Sequence, residues 1–299
     1  MATVGRESGE TVIAVGRRTG AAVILYLAFW GWLVSRWVND WVLPAGWGVQ
    51  PGTPYIDPAT LEPISSQLAF AVEFLPALAA GAYMTLILTI VSIALGFVIA
   101  VPVSVARVYG RWTAWLSLGF TELIRGTPLL AQLFVLYYGL PLATEIRMLP
   151  FVGTGPIPGQ AFWVAIIGFT INSAAYQAEY IRSALLSVDR GQLVAGRSLG
   201  LSQIDAIRYV VLPQALRYAI PGWSNELVYL IKYSSLAAFI TVPELFEVAR
   251  TIASQNFKYT ALFTLVGLMY LAIIITASNV MTAVEERVHI PGLGQTGTR

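Results

Sequence analysis

Long apolar stretches constrain this chain more than any other feature of its sequence. Residues 76–106 contain no charged side chain, and further long apolar stretches follow along the 299 residues. A helix of about 20 apolar residues is long enough to cross a bilayer. Charged residues make up only 11% of the chain, whereas a soluble domain carries about 25%. The sequence therefore predicts an all-α integral membrane protein.

We predict six membrane spans. Their approximate bounds are residues 21–42, 76–106, 112–140, 162–187, 218–241 and 260–284. The second span is longer than one crossing requires, so its ends are expected to project or tilt. Prolines scattered after the first span exclude regular helix throughout and indicate an external loop. No small-residue cleavage site follows the first span closely, which favours an uncleaved anchor helix over a signal peptide.

Basic residues are distributed unevenly between the two sides of the predicted bundle. If the N-terminus is cytoplasmic, the inner side holds Arg6, Arg17, Arg18, Arg107, Arg111, Arg190, Arg197, Arg208, Arg217, Arg287 and Arg299. The outer side then holds only Arg147, Arg250 and Lys258. Cytoplasmic loops carry the excess of lysine and arginine in membrane proteins. We therefore predict a multi-pass protein of the cell membrane with both termini in the cytoplasm.

Several chemistries are excluded by residues that the sequence lacks. The chain has no cysteine and one histidine, His289, so it offers no disulfide, no thiolate and no multi-histidine metal site. It has no G-x-x-x-x-G-K-[ST] motif and therefore no P-loop for a nucleotide. We see no convincing internal repeat, which argues weakly against secondary transporters built from inverted repeats.

The most informative segment is residues 189–217, which lies on the predicted inner side. Gly200 is expected to end one short helix in a left-handed conformation, and Ser202 with Asp205 is expected to cap the next. Pro213 is expected to end that second helix. An apolar stripe follows the cap at helical spacing: Ile204, Ile207 and Val211. The pattern fits a stiff element that transmits force from a partner, and it fits an amphipathic helix resting on lipid headgroups equally well.

The stretch A-G-R-S-L-G-L-S, a spacer and V-L-P-Q-A-L-R in this segment resemble the EAA loop of ABC-importer permeases. The matching positions are Ala195, Gly196, Gly200, Leu212 and Pro213. In that family the loop forms a coupling helix that docks on the cytoplasmic ATPase. The resemblance implies that the ATPase contact is made by Ala195, Gly196, Ser198, Leu199, Gly200, Leu201 and Ser202. Two positions depart from the family pattern: Val194 replaces the usual glutamate, and Gly196 replaces the second alanine.

Further motifs extend the resemblance over about residues 70–288. They are Ala82–Ala106, E-L-I-R-G-T-P-L-L-A-Q-L-F from Glu122, Y-Y-G-L-P from Tyr137, N-S-A-A-Y from Asn172, K-Y-S-S-L from Lys232 and V-P-E-L from Val242. This ordered series is similar to the polar amino acid branch (histidine, glutamate, glutamine or arginine type) of the type I importers. The resemblance implies a MetI-like permease core over residues 71–288. Residues 1–70, with the extra first helix and its loop, would be an addition, and residues 289–299 a cytoplasmic tail.

The resemblance also implies a function and a set of partners. Such a chain moves polar amino acids into the cytoplasm by alternating access, as a non-catalytic subunit. Its complex would contain two ATPase subunits, a second identical or homologous permease chain and an external solute-binding protein. The ATPase would bind ATP and Mg²⁺, while this chain would bind lipid and substrate but no cofactor, metal or nucleic acid. The rival interpretations are a self-sufficient secondary transporter or channel, and a membrane scaffold without transport.

Polar residues inside the spans are candidates for a substrate path, because each ionisable group there costs about 2.5–3.5 kcal/mol. The candidates are Asn172, Tyr176 and Glu179 on the fourth span and Glu226, Tyr229, Lys232, Ser234 and Ser235 on the fifth, where Tyr233 shares their face. Their carboxylates would meet a substrate ammonium, and the lysine or hydroxyls would meet its carboxylate.

These residues have a structural alternative, in which they bind neighbouring helices. Glu179 and Arg182 are three residues apart and are able to pair on one helix. Glu122 and Arg125 have the same spacing, and we predict that they form a structural pair. The R-G-T-P turn beginning at Arg125 predicts a hinge or a packing kink, because proline removes a backbone donor and glycine loosens the helix.

Overall fold

The computed structural model describes residues 4–44, 46–154 and 157–288. These ranges fold into α-helices joined by short turns and contain no β-strand, which confirms the all-α prediction. The predicted cytoplasmic tail, residues 289–299 with His289, lies outside the described residues.

The helices follow one another with few long connections. They are α1 (Val4–Trp41), α2 (Pro58–Leu61), α3 (Ser66–Tyr109), α4 (Trp112–Arg125), α5 (Leu129–Phe134), α6 (Leu142–Arg147), α7 (Gln160–Ser187), α8 (Arg190–Ser198), α9 (Gln203–Ala206), α10 (Leu212–Tyr233), α11 (Leu245–Asn256) and α12 (Tyr259–Val288). Two π-helical segments, Val135–Gly139 and Ile207–Val211, continue α5 and α9, and a 3₁₀ segment, Ser234–Ile240, continues α10.

Each predicted span coincides with helical structure. The longest helix among the described residues is α3, with 44 residues. At about 1.5 Å per residue it exceeds the roughly 30 Å hydrocarbon core of a bilayer about twofold. Its ends therefore extend beyond a single crossing, as predicted. By length and apolar composition, α3 and α12 are the described helices that could cross a membrane alone, and Leu129–Gly139 forms a shorter apolar helix.

The third and fifth predicted spans are interrupted. In the third, α4 ends at Arg125 and the chain becomes extended at Pro128 before α5 begins. In the fifth, α10 changes to a 3₁₀ helix, where the Ser234 hydroxyl donates to the Ile231 carbonyl (2.8 Å). Serine side chains compete in this way for carbonyls that an α-helix would use. The interruption at Pro128 is consistent with the predicted kink.

Pro213 does not end a helix, and this prediction was wrong. It lies in the first turn of α10, which runs on to Tyr233. Proline inside an α-helix clashes with the carbonyl four residues earlier. The π-helical segment Ile207–Val211 widens the turn immediately before Pro213 and removes that conflict. Segment 189–217 therefore continues directly into the fifth predicted span.

Helices α3 and α7 form the centre of the bundle, and small residues bring them together. Gly96 on α3 faces Ser173 and Ala174 on α7 so closely that an added Cβ would lie 3.2 Å from the Ala174 nitrogen. Small residues at helix crossings let backbones approach within a membrane. Three clusters of buried apolar side chains are distributed along this central pair and its neighbours.

Helix α1 is attached to the outside of this bundle. The Trp37 Nε1 donates to the Ala79 carbonyl of α3 at 2.8 Å. Two further side chains, Tyr26 and Trp30, donate to the Thr276 hydroxyl of α12 at 2.9 and 2.7 Å. The connection after α1 contains only the short helix α2 among its described residues, as the prolines predicted. Helix α1 is therefore a packed part of the protein.

Candidate functional site

A cavity of about 540 Å³ lies between the α4–α5 break, α7 and α10. The sequence candidates that line it are Asn172, Tyr176, Glu226 and Tyr229, together with Tyr233. The break between α4 and α5 forms one wall of the cavity. Its residues Gly126, Thr127 and Pro128 belong to neither helix, and they line the space. The structure thus brings the polar faces of α7 and α10 to one space.

The other candidates lie outside this cavity. Glu179 is held by Arg182, whose Nε is 3.0 Å from both carboxylate oxygens, so Glu179 follows the structural alternative, a pair on one helix. Lys232 is exposed on α10. Ser234 is fully buried and lies 3.4 Å from the Tyr270 hydroxyl, and Ser235 donates to the Lys232 carbonyl. These serines brace the 3₁₀ segment.

Glu226 is buried, with 3% of its surface exposed, and lies in the wall of the cavity. On the same stretch of α7, the Ser173 hydroxyl accepts a hydrogen bond from Gln177 Nε2 at 2.9 Å. Nearby, Asn172 donates to the Gln132 side-chain oxygen at 3.1 Å and links α7 to α5. A carboxylate at such a depth is costly without a partner, and the cavity is the space from which a cationic group would reach it.

Glu122 and Arg125, both in the described part of the chain, do not pair, which corrects the prediction. Arg125 turns toward α7, where its guanidinium lies over the Tyr176 ring at 5.4 Å. Its Nη1 is 3.9 Å from the Glu179 carboxylate. At the end of α4, the Tyr176 ring and the Glu179 carboxylate are therefore the partners of Arg125, and Glu122, one turn earlier, is not. Arg125 consequently lines the cavity.

The segment 189–217 has the turn chemistry that its sequence predicted. Gly200 adopts a left-handed conformation (φ +88°) after α8. The Ser202 hydroxyl accepts a hydrogen bond from the Asp205 backbone nitrogen at 3.1 Å and caps α9. An added Cβ on Gly196 would lie 3.2 Å from the Ala206 Cβ. Glycine at this position lets α8 and α9 pack closely.

The predicted apolar stripe is only partly correct. Ile207 and Val211 are buried at 7% and 2% exposure, but Ile204 is 76% exposed. The change to π-helix at Ile207 shifts the register, so the residue one turn earlier faces outward. Leu199, 85% exposed, and Val194, 63% exposed, lie on the same short helical pair. The segment therefore presents large apolar side chains away from the bundle.

The sequence reasoning missed three residues of the cavity region. Arg125 was assigned to a structural pair, and neither Gln132 nor Tyr180 was considered. Gln132 is bonded to Asn172 and also donates to the Ile124 carbonyl at 2.7 Å, so it bridges the broken span. Tyr180 lines the cavity one turn after Tyr176 on α7, and its helical spacing could have identified it.

Comparison with known proteins defines the class of protein to which these features belong. Residues 92–290 match the family of binding-protein-dependent transport system inner membrane components. A probable amino-acid ABC transporter permease of Bacillus subtilis, YckA, is 41% identical over 73% of this chain and 91% of its own length. The glutamine transport system permease GlnP of Escherichia coli is 37% identical over 72% and 94%.

Solved structures agree with this assignment. An amino acid ABC transporter crystallised with histidines matches with a TM-score of 0.62 and 30% identity, over 73% of this chain and 97% of its own. The methionine transporter MetNI matches with a TM-score of 0.62 and 20% identity, over 73% and 98%, and shows the same fold. The chain belongs to the binding-protein-dependent transport system inner membrane component family. It is the permease, or membrane translocation, subunit of an ATP-driven importer, as predicted.

Proposed function

We propose that this permease carries polar amino acids into the cytoplasm through the cavity between α7 and α10. The observation that carries the proposal is the buried carboxylate of Glu226 in the wall of that cavity. Tyr176, Tyr229 and Asn172 line the same space. Curated relatives of the chain are amino acid permeases, which supports this substrate class.

The experiment is uptake by the complete complex. The chain, its ATPase and its binding protein are reconstituted in proteoliposomes, and uptake of radiolabelled polar amino acids is followed with and without ATP. We expect ATP-dependent accumulation of at least one polar amino acid. Uptake that proceeds without ATPase subunits would instead identify a self-sufficient transporter. Accumulation of none of the polar amino acids would reject the substrate class.

The proposed assembly contains two ATPase subunits that bind ATP and Mg²⁺, a second permease chain, identical or homologous, and an external solute-binding protein. Both termini of this chain would be cytoplasmic. The uneven distribution of arginine supports that orientation, since the residues near α8 and α9 include four arginines between Asp189 and Arg217. In this assembly the chain contributes the path and the coupling, and the ATPase contributes catalysis.

The segment 189–217 is proposed to contact the ATPase. Leu199 and Ile204 are exposed large apolar residues on a capped helical pair, and exposed apolar surface of this kind is typical of protein contacts. Because the sequence lacks cysteine, single cysteines at Leu199 or Ser202 report only their own contacts. We expect crosslinks to the ATPase. Crosslinks confined to lipid or to the permease would contradict the proposal, and a cysteine at exposed Trp112 is the control.

Residues 1–70 are proposed to serve assembly and not the transport cycle. The family match begins at residue 92, and α1 packs on the outside of the bundle through Trp37 and Leu33, which is fully buried. Deletion of residues 1–70 is expected to lower the yield of complex but to preserve substrate-stimulated ATP hydrolysis per assembled complex. Loss of stimulation in a fully assembled deletion complex would assign this region a part in gating or docking.

A further inference from the structure

Arg125 is a cation whose charge is incompletely neutralised by its neighbours. Its Nη1 lies 3.9 Å from a Glu179 oxygen, at the outer limit of an ion pair. Arg182 takes the same carboxylate through Nε at 3.0 Å and Nη2 at 2.5 Å. Within the described residues, the buried Nε of Arg125 has no hydrogen-bond partner. Arg125 therefore keeps capacity to bind another carboxylate.

The surroundings of Arg125 hold its side chain at the cavity. The guanidinium lies over the face of the Tyr176 ring at 5.4 Å, an arrangement that restrains the side chain and is itself favourable. Helix α4 ends at Arg125. Because no further helical turn follows directly, the guanidinium is able to reach the cavity from this side. The planar guanidinium presents N–H donors in the geometry that a carboxylate accepts.

Glu226 provides the opposite charge in the same cavity. Among the described residues that line the space, Arg125 and Glu226 are the charged ones. They are not within 4 Å of each other, since they form no ion pair in the described part of the chain. The cavity thus has one positively and one negatively charged residue in its lining, which also includes Tyr176 and Tyr229. A zwitterion complements both charges.

We propose that Arg125 binds the α-carboxylate of the transported amino acid while Glu226 binds its ammonium group. This assignment rests on the proposed function of the cavity and adds the direction in which the substrate lies. It moves the carboxylate-binding role from exposed Lys232 to Arg125. Arg182 is then a positioning residue, because by holding Glu179 at shorter distances it limits how far that carboxylate neutralises Arg125.

The test measures binding to the assembled permease–ATPase complex in detergent without the binding protein, which would otherwise select the ligand first. The probes are L-glutamine and L-arginine, each compared with its α-carboxamide, L-glutaminamide or L-argininamide. In the wild type we expect each amide to bind at least about tenfold more weakly than its acid. Arg125→Gln should weaken the acids by roughly 10- to 100-fold, the scale of a lost charge-assisted bond, and change the amides little. Arg125→Lys should fall between.

Arg250→Gln is the matched control, because Arg250 is an exposed arginine paired with Glu247 on α11, away from the cavity. Equal binding of acid and amide by the wild type overturns the inference, even if no variant assembles. So does unchanged affinity in Arg125→Gln, or an equal loss of acid and amide, which would show a structural role. If the wild type binds neither of these nor any other polar amino acid, the proposed cavity function fails, and this inference fails with it.

Discussion

Two buried glutamates on consecutive segments of this chain have opposite surroundings. Glu244 is fully buried and accepts hydrogen bonds from the Phe246 and Glu247 nitrogens and the Tyr270 hydroxyl at 2.8–2.9 Å. Glu226 is nearly as buried but borders a cavity. We call the Glu244 carboxylate saturated, because the protein itself supplies its hydrogen-bond donors. The Glu226 carboxylate remains able to bond a substrate group that enters the cavity. Burial alone therefore does not distinguish a structural carboxylate from one available to substrate, whereas the count of its partners does.

Removing the saturated carboxylate is expected to have the largest effect. Glu244→Ala would leave two backbone N–H groups and the Tyr270 hydroxyl without their acceptor. Each unsatisfied buried donor lowers the free energy of unfolding by about 1–3 kcal/mol. Glu244 also caps α11 and joins it to α3 through Thr85. We expect little assembled complex and a large fall in Tm, measured on detergent-solubilised protein. Glu247→Ala is the control, because the ion pair between Glu247 and exposed Arg250 contributes little to stability. Normal assembly of Glu244→Ala would remove the contrast.

Neutralising the unsaturated carboxylate is expected to act on transport and spare the fold. Glu226→Gln preserves shape and hydrogen bonding, so yield and ATPase docking should match the wild type. Uptake of a cationic or zwitterionic amino acid should fall about tenfold, the effect of losing about 1.4 kcal/mol. The measurement is uptake in proteoliposomes with the ATPase rate recorded in parallel, and Glu122→Gln, an exposed change on α4, is the control.

Two results would change this interpretation of Glu226. Unchanged uptake would take Glu226 out of the path. A collapse in expression would show instead that this carboxylate holds α10 to a neighbouring helix, much as Glu244 holds α11.

The smallest effect is expected when Glu244 loses a single hydrogen bond. Tyr270→Phe removes the hydroxyl that donates to Glu244 at 2.8 Å but keeps the ring in place. A single lost hydrogen bond costs about 1 kcal/mol, so Tm should fall modestly and uptake per assembled complex should not change. A loss of uptake at unchanged Tm would mean that the Glu244 network rearranges during the transport cycle.

The sequence predicted local structure well where one residue type decides the conformation. Gly200 is left-handed, Ser202 caps α9, and Pro128 interrupts the third span, because each depends on its own backbone or an immediate neighbour. Pro213 was misjudged, since its effect depends on the π-helical turn before it. Helical spacing identified the polar face of α7 that borders the cavity.

Helical spacing in the sequence does not predict which side chains meet between helices. Arg125 has Glu122 at pairing distance in sequence, but α7 offers the Tyr176 ring and Glu179 across space, and only the packing of α4 on α7 reveals this. The saturation of Glu244 by Tyr270 joins two helices in the same way. Lys232 was chosen for its charge, and its position on the outward side of α10 follows from the rotation of that helix, which spacing alone does not fix.

The exposed apolar residues near Gly200 have a consequence for how long a newly made chain survives. Leu199 and Ile204 face away from the bundle, so a copy without its ATPase presents them to the chaperones and proteases that triage unfinished proteins. Docking would hide them. We expect surplus copies to be degraded until their number matches that of the ATPase. In this way a surface that we propose to couple two subunits would also regulate their relative abundance.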